Sequence, residues 1–134
     1  MSTTLSKIVT AGVFFVFIIL SGFWLSRSGK PYSSLIFNIH KLIGLAAGIF
    51  LIVTVYRSHQ TLPLRALEIT AVVFTVLVFL GLIAAGGLLS IVDAGQLPNL
   101  SQSARGAITT IHRLFPYLAV LSTAGTLYLL LIRR

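Results

Sequence analysis

Residues 66–92 read ALEITAVVFTVLVFLGLIAAGGLLSIV, an apolar run whose single charged side chain, Glu68, stands third. A run of this length crosses the roughly 30 Å hydrocarbon layer of a bilayer, which takes about 20 helical residues. It lacks the in/out alternation of a barrel strand. In lipid its amides must be satisfied within the segment, so a helix is the conformation that fits. Three further stretches, residues 8–26, 34–56 and 107–132, have the same character. The expectation is a single all-α domain over residues 1–134, an integral membrane antiparallel four-helix bundle running up-down-up-down.

Composition agrees with a membrane chain: 57% hydrophobic, 9% charged, mean hydropathy +1.03. The net charge of +8 comes from ten Lys and Arg spread over every helix end, a membrane distribution rather than a nucleic-acid patch. Membrane lipid is the expected partner, and nucleic acid is not. With no cysteine, thiolate chemistry, iron–sulfur clusters, disulfides and covalent haem attachment fall away. Met1 is the only methionine, which excludes His/Met ligation. The first stretch is longer than a signal-peptide core and ends in an aromatic and cationic boundary, Phe23, Trp24 and Arg27, so it reads as a span.

The expected connections are residues 27–32 with Gly29 and Pro31, residues 57–65 with Pro63, and residues 93–105 with Gly95 and Pro98. Short links make consecutive spans antiparallel neighbours. Two spans then begin on the same membrane face with a shared motif, Ile36-x-x-Ile39-His40-Lys41-Leu42 and Ile108-x-x-Ile111-His112-Arg113-Leu114, 72 residues apart. The match suggests a duplicated two-helix unit. Lys7, Arg57, Arg65, Arg133 and Arg134 lie toward one side, and Arg27, Lys30, Lys41, Arg105 and Arg113 toward the other. Setting aside Lys41 and Arg113 as attendants of the histidines leaves the first side richer, which places both termini in the cytoplasm of a cell-membrane protein.

His40 and His112 lie about two turns inside their spans, roughly 7–10 Å below one surface at 1.5 Å per residue. At that depth they can share one ligand, and a haem iron suits two facing imidazoles. Small residues would make room for the ring: Gly44, Ala47 and Gly48 beyond His40, Ser21 and Gly22 on the first span, and Ala84, Ala85, Gly86 and Gly87 on the third. Lys41 and Arg113 could pair with the two haem propionates or simply snorkel to the interface. Pro116 removes the amide that would bond the carbonyl of His112, a change that can bend the helix. Thr109 and the carbonyls of Ile36 and Ile108, each within one turn of a histidine, are candidates to orient the imidazoles. Phe115 and Tyr117 are candidates to pack on the ring. His59 reads as a solvated loop residue. Glu68 reads as the partner of Arg65 in a boundary ion pair, ahead of a proton or quinone site. A lone buried histidine is more often a hydrogen-bonded packing residue than a ligand; the matched pair with its cations and small residues reverses that preference.

On His40-Lys41, His112-Arg113 and the glycines, the chain resembles the four-helix membrane-bound b-type cytochromes, whose dihaem members carry two histidine pairs where this chain has one. The resemblance implies one haem b, with His40 and His112 as axial ligands to its iron. It implies an electron-transfer protein, rather than a stand-alone enzyme, exchanging single electrons with a quinol or a partner redox protein. A homodimer or a place in a larger complex would suit so slender a unit. The alternatives are a haem-free structural or assembly subunit whose histidines only pack, and a small transporter dimer using Glu68.

Overall fold

The computed structural model describes residues 3–132 and is all-α. Its helices are α1 (Thr3–Ser28), α2 (Ser34–Thr61), α3 (Ala66–Asp93) and α4 (Gln102–Leu131). All four are long and apolar enough to cross a membrane. Arg133 and Arg134, which weighed in the orientation expected from sequence, and Met1 lie outside the described residues.

The helices outrun the apolar stretches, because hydropathy marks lipid depth whereas a helix continues until its hydrogen-bond ladder is stopped. α1 stops where Gly29 takes φ +70°, a left-handed conformation that glycine adopts without Cβ strain. α2 runs on through Arg57, Ser58 and His59 and ends before Leu62, which is extended (φ −147°, ψ 137°) as a residue preceding proline should be. His59 is therefore an exposed residue of the last helical turn, not of a loop. α4 begins at Gln102 because the Ser101 hydroxyl accepts the Ala104 amide at 3.2 Å, an N-cap that draws Arg105 into the first turn. It continues unbroken through Pro116.

The chain forms two compact units, one of residues 1–64 with 127–134 and one of residues 65–126. In the first, Gly22 of α1 meets His40 of α2, and Phe14 meets Phe50 with ring centroids 5.8 Å apart. The contacts run in opposite order along the two helices, so α1 and α2 are antiparallel. In the second, Gly86 meets His112, Gly81 meets Phe115, and the Thr75 and Thr126 hydroxyls share a 2.9 Å hydrogen bond. The part of α4 in this unit is thus antiparallel to α3.

Buried positions are mostly small: Ala11, Ala47, Ala85 and Ala119 with Thr54, Thr75, Thr123 and Thr126. Lipid tails are as apolar as leucine, so membrane helices gain by close backbone approach and interhelical hydrogen bonds rather than by sequestering large side chains. Large ones point outward instead; Phe17, Leu20, Leu42, Leu80 and Leu121 are all more than half exposed, a surface that lipid tolerates and water does not. Thr75→Val and Thr126→Val should each cost about 0.6 kcal/mol, and no more than about 1.7 kcal/mol. A double-mutant cycle in mild detergent should return a coupling of that size; additive costs would show that the hydroxyls do not act together.

The buried faces extend the duplication hinted at by the histidine motif. At the same 72-residue offset, Ala47 and Thr54 of α2 correspond to Ala119 and Thr126 of α4, and all four are buried. At an offset of 64, Ala11 and Gly22 of α1 correspond to Thr75 and Gly86 of α3. Each hairpin therefore carries the same device, a glycine near the end of its first helix facing a histidine near the start of its second.

Candidate functional site

His40 lies in the second turn of α2, half-buried. Its ring rests on α1: a Cβ added at Gly22 would stand 3.1 Å from His40 Cε1, so only glycine leaves the ring its place without displacement. His40 Nδ1 is 2.9 Å from Ser21 Oγ, and Ser21 Oγ donates to the carbonyl of Ile18 at 3.0 Å. A hydroxyl has one proton. When that proton is given to Ile18, the oxygen is left to accept from His40, an arrangement that calls for the ring proton on Nδ1 and the in-plane lone pair on Nε2. This is the tautomer in which an imidazole coordinates iron through Nε2.

His112 repeats the arrangement in the other unit. A Cβ at Gly86 would stand 2.9 Å from its Cε1, and the ring interacts with the backbone of Leu82. Leu82 precedes Gly86 by four residues, as Ile18 precedes Gly22. Ser21, which meets His40, is replaced by Ala85 at the corresponding position of the His112 hairpin. The orienting groups come from the facing helix. The Thr109 hydroxyl, expected to serve a histidine, donates to the carbonyl of Arg105 at 2.9 Å. Neither Ser21's hydroxyl nor Leu82's backbone stood out in the sequence as an orienting group; a polar side chain beside Gly22 at a span end was the available signal for Ser21.

The glycines divide into two sets. Gly22 and Gly86 each have an imidazole against them. Gly44, one turn beyond His40 and half-buried, has nothing within 4 Å of where a Cβ would be; Gly87 is equally open and exposed, and Gly48 is half-buried. Phe115 fills the space at Gly81, where a Cβ would come within 2.8 Å of its ring, while Tyr117 faces outward. Lys41 and Arg113 are exposed. Lys41 Nζ lies 4.0 Å above the Phe37 ring, itself stacked on Tyr32, so the ammonium turns back toward the helix start and the interface.

Glu68 is buried, and its Oε2 accepts the backbone N–H of Arg65 at 2.8 Å. This contact with residue 65 is to the backbone: the carboxylate caps the first turn of α3, where the positive end of the helix dipole favours it.

Among the described residues no group of three or more His, Asp or Glu side chains could hold a metal ion. A bare transition-metal site takes three or four protein ligands. A porphyrin iron takes four nitrogens from the macrocycle and needs at most two imidazoles, which is the donor set this chain offers. Comparison with known families, curated proteins and solved structures finds no match to this chain.

Proposed function

We propose that the chain is a membrane b-type cytochrome that holds one haem b through His40 and His112 and passes single electrons to or from a quinol or a partner redox protein. One observation carries this reading: two imidazoles, at matching positions of two equivalent hairpins, each rest on a glycine of the neighbouring helix, and one of them meets a serine hydroxyl there. The Nδ1–H tautomer of His40 suits ligation, and the open space at Gly44 suits a flat ring passing one turn below it. Haem supplies one-electron exchange at iron, and two strong axial imidazoles favour electron transfer over oxygen chemistry. The chain's own residues bind, orient and shield it. Lys41 and Arg113 stand where cations can meet propionates near the surface. Both termini are cytoplasmic in this reading, the membrane is the cell membrane, and association as a homodimer or within a larger complex brings the electron partner close.

The reduced-minus-oxidised optical spectrum of protein purified from haem-replete cells tests the reading. Sharp low-spin b-type bands are expected, and their absence excludes it. The combined Lys41→Gln and Arg113→Gln variant should retain haem less well or at a shifted midpoint potential. Unchanged occupancy and potential would exclude the pairing with propionates.

A second reading, a haem-free structural or assembly subunit, draws on the same anchoring, because a histidine hydrogen-bonded across a hairpin also strengthens helix packing. It predicts colourless protein that loses stability when either histidine is replaced.

A further inference from the structure

We propose that Ser21 is a positioning residue that fixes His40 in the Nδ1–H tautomer, and that it makes the two histidines inequivalent in an otherwise duplicated site. The inference rests on the cytochrome reading for its consequence, but not for its geometry. In both hairpins a ring lies over a glycine. Only in the first is the residue before that glycine a serine; Ala85 stands there in the second. Ser21 Oγ takes the ring proton's hydrogen bond at 2.9 Å and passes its own proton to the Ile18 carbonyl at 3.0 Å. The chain N–H···O–H···O=C is directional: each link polarises the next, and reversing the ring tautomer would set two acceptors, Nδ1 and the Ile18 carbonyl, in competition for one hydroxyl proton. An imidazole with a well-bonded N–H is the more basic ligand at its other nitrogen. Ser21 therefore confers on His40 a donor strength that Ala85, at the corresponding position, cannot confer on His112.

The test is ring-nitrogen NMR of the full-length chain, labelled with 15N-histidine and reconstituted in lipid without haem, so that it reads the tautomer directly. Wild-type His40 should show a protonated Nδ1. Ser21→Ala should leave a mixture of tautomers at His40 and no change at His112, while Ser21→Thr should restore the wild-type signal. Alanine at this position is compatible with the hairpin, since Ala85 occupies the corresponding place in the other. The unchanged His112 resonances report that the variant has folded. A wild-type His40 protonated at Nε2, or a Ser21→Ala spectrum identical to wild type, overturns the proposal.

In haem-loaded protein Ser21→Ala should bind roughly 10–100-fold more weakly, the usual effect of removing a ligand's hydrogen-bond partner, with Ser21→Thr near wild type. Wild-type protein that takes up no haem would overturn the cytochrome reading, while the tautomer measurement would still decide the role of Ser21.

Discussion

Replacing either His40 or His112 with alanine should abolish low-spin haem altogether. Each ring would fill one axial position, and no other methionine or buried histidine is placed to substitute: Met1 is the only methionine, and His59 is exposed at the far end of α2. A variant keeping one imidazole should either lose haem during purification or hold it five-coordinate, with the broad bands of a high-spin iron. Both variants should lose the low-spin signal, because each removes one of the two proposed axial ligands. Low-spin haem surviving in either would show that the ligands are misassigned.

The glycines under the rings should be nearly as sensitive, and in a predictable order. At Gly86 a Cβ would stand 2.9 Å from His112 Cε1, closer than real Cβ contacts come, so Gly86→Ala must push the ring aside. At Gly22 the distance is 3.1 Å and the shift smaller. Overpacking of this kind costs about 1–3 kcal/mol, which corresponds to roughly a five- to hundredfold loss of haem affinity. Gly44→Ala is the informative contrast: nothing lies within 4 Å of the new methyl, and alanine favours a helix by about 1 kcal/mol over glycine. The haem-free protein should therefore be no less stable, while a porphyrin edge passing Gly44 would meet the methyl and bind more weakly. Haem titration and thermal unfolding of the three variants check this. Equal haem affinity for Gly86→Ala and wild type would remove the glycine seat from the account.

Four spans were legible in the sequence because hydropathy reports what a helix's exterior touches, and many of the large apolar side chains here do face outward. Helix ends were not. Thr3, Thr61 and Gln102 lie several residues beyond the apolar stretches, where polar residues keep the backbone ladder going until Gly29, the extended Leu62 or the Ser101 cap settles the matter. The same effect moved Arg27, His59 and Arg105 out of loops and into terminal turns.

The site was half legible. His40 and His112 stood out by matched flanks, but the serine that meets His40 lies on α1, and no search within one turn of the histidine could reach it. Gly22 and Gly86 were noticed for their smallness, and an imidazole lies against each. The duplication was also deeper than the motif. Ala47/Ala119 and Thr54/Thr126 keep the 72-residue register with conserved burial, yet such common residues become evidence only once their burial is known. Glu68, read from the sequence as the partner of Arg65, meets that residue's backbone amide and caps α3.

The claim that two imidazoles of this chain share one iron is most directly tested by pulsed EPR of the oxidised protein carrying 15N-histidine and haem at natural abundance. Hyperfine coupling from two equivalent-class 15N axial nitrogens on a low-spin ferric centre, at one haem per chain, is the predicted result. A high-spin centre, a single 15N coupling, or protein that carries no haem would contradict it.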